Sequence, residues 1–224
     1  MLYLFDIDGT LMRAAGAGMR ALRLAFAEIH GISDATLGVD PNGMTDPLIV
    51  AEMFRNHMGR EPDPNEIEAL LRAYEARLAN ELAQTQGAGL LPGVLEVLDV
   101  IERRQEPVGL CTGNTFVGAR IKLEHVGIWR RFPFGGFGSD AAARPTVVRT
   151  AIARAEAHMG RHLQAEEILV VGDTPRDIAA ARAVGVRVAA VATGPHTLEA
   201  LSKHHPDMLF PTLREMAVAL EKGA

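Results

Sequence analysis

From about residue 90 to its end, the chain alternates short apolar runs with helical patterns. Each run is brief and almost wholly apolar, which is typical of strands buried on both faces, and each helical pattern supplies the crossover that parallel strands require. The pattern predicts an α/β fold built on a parallel sheet. The predicted strands are 2–6, 107–111, 134–137, 167–171, 186–191 and 207–210. The predicted helices of this region are 93–104, 115–126, 145–159, 175–184, 197–203 and 212–221.

The segment between Met12 and Gly89 differs from the rest of the chain. Its residues 20–30 and 66–83 have the periodicity of amphipathic helices, and no apolar run in it predicts a strand. Glycine-bearing stretches at 14–18 and 87–89 are suitable hinges. We therefore predict an inserted helical domain. The predicted domains are residues 14–87 for the insert, and residues 1–13 and 88–224 for the α/β core.

Two carboxylates, Asp6 and Asp8, stand two residues apart where the first apolar run ends. Side chains at i and i+2 of a strand face the same way, and two ionised acids held close together repel unless a metal or a proton intervenes. The pair therefore predicts a Mg²⁺ site. Gly9 allows a tight turn just beyond the acids, and Thr10 adds a hydroxyl there. The alternative is that both acids only cap a turn.

Polar residues also follow the second and third strands of the predicted core. Ligands of open α/β sheets bind beyond the carboxyl ends of the strands. Thr112, Gly113 and Asn114 open a helix and suit phosphate oxygens through side chains and free backbone N–H groups, although the same residues would serve as a plain helix cap. Arg144, before Pro145, would bring a fixed positive charge, unless it is a solvated surface residue.

A second pair of acids, Asp173 and Asp177, follows the fourth core strand around a predicted helix start. Taken by itself, this pair has a purely structural interpretation: Asp173 would be an N-cap, and Asp177 would be an acid in the first turn that interacts favourably with the helix dipole. Together with the first two acids they place four carboxylates at one edge of the sheet, beside a threonine and an arginine. A metal-bound phosphate accounts for the whole set.

Composition excludes several classes of protein. The chain has 224 residues, is 48% apolar and 23% charged, and carries a net charge of −5 without a basic patch, so we expect no nucleic-acid partner. No apolar run approaches the ~20 residues of a membrane-spanning helix, and Asp6 arrives too early for a signal peptide. We therefore expect a cytoplasmic protein without a membrane partner. Cys111, the single cysteine, excludes an internal disulfide and a multi-cysteine zinc site.

The ordered motifs resemble those of the haloacid dehalogenase superfamily, in its phosphoglycolate-phosphatase-like branch with an inserted helical cap. The resemblance covers nearly the whole chain and is carried by residues 6–10, 110–114 and 172–177. It implies a Rossmann-like parallel-sheet core with an α-helical cap domain. The third motif departs from the family, which usually has a lysine before a proline where this chain has Arg144-Pro145. We take Arg144 as the substitute for that lysine.

The resemblance also implies a role for each residue. Asp6 would attack phosphorus and form an aspartyl-phosphate, and Asp8 would be the general acid for the leaving alcohol and then the base for water. Mg²⁺ would be held by Asp6, the backbone carbonyl of Asp8, Asp173 and Asp177. The phosphoryl oxygens would be held by Thr112, Gly113, Asn114 and Arg144.

Among the activities of this superfamily, the resemblance favours hydrolysis of a small phosphorylated metabolite. Dehalogenases lack the second acid, so Asp8 speaks against them. Phosphonoacetaldehyde hydrolases use a cap lysine, and residues 12–90 contain none. A sugar-phosphate mutase shares both acids and stays open as the alternative.

The insert holds the candidate substrate contacts. Gly43, Thr45 and Asp46 form a polar turn before a helix, and similar segments face the active site in capped members of this branch, although Asp46 would also serve as a plain helix cap. Arg13, Arg20 and His57 are weaker candidates, as partners for a substrate carboxylate.

Two interpretations belong to other classes of protein. Residues 16–21 match the dinucleotide pattern G-x-G-x-x-A, but they lie ten positions past Asp6 and follow two acids that would repel a pyrophosphate. A non-catalytic or dinucleotide-binding protein is therefore kept only as an alternative. A phospho-accepting signalling domain would not need an insert of about 75 residues, half the size of a typical domain.

Overall fold

A six-stranded parallel sheet lies at the centre of the computed structural model, which describes residues 1–223. The strand order is β5-β4-β1-β6-β7-β8, with helices between successive strands, so the predicted α/β class is confirmed. The strands are β1 Leu2–Phe5, β2 Met12–Arg13, β3 Gly89–Leu90, β4 Val108–Cys111, β5 Gly135–Gly136, β6 Ile168–Gly172, β7 Arg187–Val191 and β8 Met208–Phe210. The helices are α1 Ala17–His30, α2 Asp46–Met58, α3 Pro64–Gln84, α4 Val94–Arg103, α5 Phe116–His125, α6 Arg144–Met159, α7 Pro175–Val184, α8 Leu198–Ser202 and α9 Leu213–Glu221, with 3₁₀ turns at Trp129–Arg131 and Ala165–Glu167.

Strand β1 occupies the middle of the sheet and sets the position of the site. It pairs in parallel with β4 and β6, so that Phe5 lies opposite Leu110 on one side and Val171 on the other. Alternate side chains of β1 enter two separate apolar clusters, Tyr3 and Phe5 in one and Leu4 in the other. Both faces of β1 are therefore fixed by packing, and the residues after its end emerge beside those that follow β4 and β6.

The insert is framed by a two-stranded antiparallel ribbon of β2 and β3, in which Met12 lies opposite Leu90. Sequence analysis predicted no strand here, and at two residues each these strands are too short to show a period. Helices α1, α2 and α3 lie between these two strands in sequence. Phe26 of α1 packs edge-on against Phe54 of α2, at 5.2 Å between ring centroids, in an apolar core that also contains Tyr74 of α3. The helical character of the insert is as predicted, while its assignment as a separate domain stays a prediction.

Several predicted boundaries need correction. The strand predicted at 134–137 contains only Gly135–Gly136, and a side chain at Gly136 would collide with the backbone of α6, its methyl group lying 2.1 Å from the Val147 carbonyl oxygen. Helix α6 begins at Arg144, so Pro145 is its second residue.

Among residues 1–223, no helix combines the length and the apolar character needed to cross a bilayer.

Candidate active site

Three of the four predicted acids meet at the carboxyl end of the sheet. Asp6 follows β1, Asp173 follows β6, and Asp177 lies in the first turn of α7. One carboxylate oxygen from each lies within 4.8 Å of the others, and all three side chains are buried. The strand ends and the helix start thus gather three carboxylates, as the sequence indicated.

Burial and the repulsion of neighbouring carboxylates disfavour the charged forms of Asp6 and Asp173. Burial, together with the charges of Asp177 and Asp8, raises the pKa of Asp6 to about 7, although the nearby Arg144 works against the rise. Burial, followed by the charges of Asp177 and Asp6, raises the pKa of Asp173 well above its ordinary value. Buried carboxylate oxygens that repel one another are the hard donors that Mg²⁺ takes, so the group fits that ion.

Asp173 is held on several sides. The Thr10 hydroxyl donates a 2.9 Å hydrogen bond to its Oδ1. Gly9 and Gly194 press close to the same carboxylate, because a methyl group on either would lie 2.2 Å and 1.7 Å, respectively, from Asp173 Oδ2. Gly9 also has a φ of +80°, which favours glycine. These two glycines leave room for the carboxylate and nothing larger.

Asp177 already has protein donors on both oxygens. Its Oδ2 accepts from the Thr174 backbone N–H at 3.0 Å and the Thr174 hydroxyl at 2.7 Å, and its Oδ1 accepts from Arg144. Thr174 is the N-cap of α7 in a reciprocal capping box with Asp177, so the interpretation of Asp173 as the N-cap is wrong. Asp177 therefore anchors both the helix start and Arg144.

Arg144 lies at the site with its side chain only 10% exposed, and it is not a solvated surface residue. Its Nη2 lies 3.6 Å from Asp6 Oδ2 and pairs with Asp177. Burial alone would lower the pKa of Arg144, but the charges of Asp177 and Asp6 outweigh it and raise the pKa. A permanently charged guanidinium thus faces the acids where the resemblance expects a cation.

Asp8 lies apart from the other three acids. Its side chain is 41% exposed, and its Oδ2 accepts hydrogen bonds from Asn114 Nδ2 at 2.8 Å and Lys122 Nζ at 2.5 Å. Asn114 Nδ2 also donates to Thr112 Oγ1 at 2.8 Å. The prediction that four carboxylates converge therefore needs correction for the Asp8 side chain, which is bound by an amide and an ammonium.

Lys122 is the residue that sequence analysis missed. Its side chain is buried on α5, and its ammonium donates to Asp8 Oδ2 and to Asn114 Oδ1, each at 2.5 Å. A signal was available, because Lys122 shares the inward face of α5 with Gly118, Ala119 and Leu123. A lysine on the apolar face of a helix needs an acidic partner.

A cavity of about 240 Å³ opens above these residues, between the core and the insert. On its core side it is lined by Asp6, Asp8, Gly113, Asn114, Lys122, Arg144, Asp173, Thr174 and others. On its insert side it is lined by Gly16, Gly18, Met19, Leu22, Gly43, Met44, Asp46, Ile49, Tyr74 and others.

The predicted insert residues lie at different places around this cavity. Gly43 and Asp46 line it, whereas the Thr45 hydroxyl donates to the Ala142 carbonyl at 2.9 Å and lies off the cavity. The Asp46 backbone N–H donates to the Gly113 carbonyl at 2.8 Å, and its carboxylate accepts from the Thr115 N–H at 2.9 Å. The helix cap here is Thr45, so the interpretation of Asp46 as the cap is wrong.

The three weaker candidates for a substrate carboxylate lie outside the described lining of the cavity. They are Arg13, Arg20 and His57. Arg20 instead pairs with Glu81 and donates to the Ala15 carbonyl. Residues 16–21, which match the dinucleotide pattern, form the start of α1 in the insert and follow the short strand β2.

The sequence profile of the haloacid dehalogenase-like hydrolases matches residues 3–191, and the chain belongs to that family. The phosphoglycolate phosphatase of Rhodospirillum rubrum is 30% identical to it over 85% of this chain and 79% of its own length. The probable phosphatase IndB of Dickeya dadantii is 26% identical over 97% and 92%. CbbY from Rhodobacter sphaeroides in complex with phosphate has the same fold, with a TM-score of 0.73, 19% identity and coverage of 96% and 95%. The predicted family and the prediction of a phosphatase enzyme are confirmed.

Proposed function

We propose that this enzyme is a Mg²⁺-dependent phosphatase that hydrolyses a small phosphorylated metabolite through an aspartyl-phosphate on Asp6. The observation that carries the proposal is the buried group of Asp6, Asp173 and Asp177 with Arg144 beside it, at the base of the cavity between the core and the insert. Phosphoglycolate, the substrate in the name of the R. rubrum relative, is one candidate substrate.

The proposed reaction consists of two successive displacements at phosphorus, in which Asp6 and Asp8 have different roles. In the first, an Asp6 oxygen bonds to phosphorus as the ester P–O bond breaks, and protonated Asp8 gives its proton to the leaving alkoxide. In the second, Asp8 takes a proton from water, the water oxygen bonds to phosphorus, and the bond to Asp6 breaks. Phosphate leaves and both carboxylates return to their starting states.

The remaining groups stabilise charge and hold the reacting atoms. Arg144 and the backbone N–H groups near Gly113 are the donors available to phosphoryl oxygens. The two hydrogens of the Asn114 amide are bound by Asp8 and Thr112, so Asn114 holds Asp8 in place. Asp6, Asp173 and the Asp8 carbonyl would hold Mg²⁺, with Asp177 supporting Arg144. When bound, Mg²⁺ would offset the negative charge of the carboxylates and the phosphoryl group.

We expect Mg²⁺ to raise the melting temperature, more at pH 8 than at pH 5.5. Because the pKa of Asp6 is raised to about 7 from its ordinary value near 4, the metal-free fold binds a proton between these limits that the unfolded chain has lost. Its stability therefore falls as pH rises through that window, and Mg²⁺ replaces the proton. At a hundredfold excess over its dissociation constant, Mg²⁺ should add about 2.7 kcal/mol.

Melting curves with Mg²⁺, with chelator and with Ca²⁺ at both pH values measure this effect. Turnover of p-nitrophenyl phosphate in the same buffers should require Mg²⁺. Full turnover in chelator would contradict the proposed function.

We expect Lys122→Met to slow the hydrolysis of alkyl phosphates by about 10- to 100-fold more than that of p-nitrophenyl phosphate. Lys122 fixes the Asp8 carboxylate, and Asp8 matters most when the leaving group is a poor one that needs a proton. Asp8→Asn should give the same substrate dependence, and the double variant should lose little more than either single one.

Steady-state kinetics on both substrates, with exposed Lys203→Met as the control, test this role. A merely structural lysine would lower both rates equally, and that result would contradict it.

A further inference from the structure

The insert side of the cavity is mostly apolar and carries one negative charge. Met19, Leu22, Met44 and Ile49 supply apolar surface, and Asp46 supplies a carboxylate. Tyr74 adds a phenol whose pKa is raised well above its ordinary value, first by burial and then by the charges of Asp46 and Asp8, so it stays a hydrogen-bond donor. Asn42 adds an amide at the same side. A leaving group placed here therefore contacts aliphatic carbons and a few uncharged polar groups, with Asp46 as the charged one.

Both cationic side chains among the described lining residues already have acidic partners. Arg144 pairs with Asp177 and faces Asp6, and Lys122 is bound by Asp8 and Asn114. Against these two cations, the lining holds four carboxylates, those of Asp6, Asp8, Asp46 and Asp173. One bound Mg²⁺ would balance the negative charge of the substrate phosphate. The lining would then have no positive charge left for a second anionic group.

We infer that the substrate is a monophosphate ester whose leaving group is a compact, uncharged, hydroxylated alcohol, as in a short polyol phosphate. A carboxylate or another phosphate on the leaving group would lie against apolar side chains and face Asp46. Like charges brought together in this way cost several kcal/mol. At about 240 Å³ the cavity lies below the range of about 300–1,000 Å³ that is usual for small-molecule sites, so it suits a small substrate.

This inference rests on the proposed phosphatase activity and makes it more specific. It ranks phosphoglycolate and sugar bisphosphates below neutral esters of the same size. It also disfavours the mutase alternative, in which a bisphosphate would occupy the cavity.

Matched substrate pairs test the inference. 2-Hydroxyethyl phosphate differs from 2-phosphoglycolate only in having CH₂OH in place of the carboxylate, and glycerol 3-phosphate relates to 3-phosphoglycerate in the same way. We expect the neutral member of each pair to have a kcat/KM at least about tenfold higher with Mg²⁺ at pH 8. Equal or higher kcat/KM for the anionic members would overturn the inference.

The Asp46→Asn variant asks whether Asp46 sets this preference. The amide oxygen can still accept from the Thr115 N–H, so the local structure should persist while the charge is lost. The ratio of neutral to anionic kcat/KM should fall at least about threefold. Glu52→Gln, which removes a charge from the same helix outside the described lining, should leave the ratio unchanged.

The assay separates this inference from the proposed function. If the wild-type enzyme does not hydrolyse p-nitrophenyl phosphate in the presence of Mg²⁺, the proposed function itself is overturned. Turnover of p-nitrophenyl phosphate with no preference within the pairs would overturn only the substrate class.

Discussion

Asp6→Asn should abolish measurable turnover and prevent any phosphoenzyme from being trapped. The variant lacks the carboxylate that attacks phosphorus, and an amide oxygen is a far weaker nucleophile. The fold should survive, because the neutral amide removes repulsion within the buried group of Asp6, Asp173 and Asp177. In the absence of Mg²⁺ the melting temperature of the variant should equal or exceed that of the wild type.

Single-turnover quenching with a ³²P-labelled ester measures the phosphoenzyme, and thermal melting measures the fold. Exposed Asp34→Asn, which makes the same chemical change outside the site, should leave both turnover and labelling at wild-type levels. Labelled Asp6→Asn protein would place the covalent intermediate on another residue and contradict the assignment of Asp6.

Positions at strand ends were predictable from sequence, because the topology of a parallel sheet brings them together whatever the details of packing. The apolar runs before Asp6 and Asp173 located β1 and β6, and the sheet order places these strands side by side. The motif around Thr112 was found for the same reason, since β4 is the other neighbour of β1.

The position of the Asp8 side chain was not predictable from strand alternation. Strand β1 ends at Phe5, and the chain turns at Gly9, so the period of two that would align Asp8 with Asp6 does not extend that far. The Asp8 carboxylate instead meets Asn114 and Lys122. These contacts join residues more than 100 positions apart in sequence, and no local pattern specifies them.

The insert was predictable in character and not in its contacts. The periodicity of α1 and α3 marked it as helical, whereas its position over the core depends on backbone packing. A methyl group at Gly113 would lie 2.1 Å from the Met44 carbonyl oxygen, so the insert meets the core with almost no space at this point. Only the folded structure reveals that Asp46 lines the cavity while Thr45 does not.

Arg144→Ala should be the most damaging change to the site after loss of Asp6. The guanidinium pairs with Asp177 and lies 3.6 Å from Asp6, and removing it leaves two buried carboxylates without their cation. Removing one partner of a buried pair costs about 3–5 kcal/mol of stability. Loss of a donor to the phosphoryl oxygens should lower kcat/KM by a further 10²–10³-fold, an order-of-magnitude expectation.

Arg144→Lys separates the two effects, because it keeps the charge and loses the planar fork of donors. It should recover most of the stability, measured by urea unfolding without Mg²⁺, and only part of the affinity for vanadate, measured by inhibition of turnover. Arg149→Ala, an exposed arginine of the same helix, should change the free energy of unfolding by less than about 0.5 kcal/mol. If Arg144→Ala kept wild-type kcat/KM and vanadate affinity, Arg144 would serve only to pair Asp177, and Lys122 would be left as the cation nearest to the phosphoryl group.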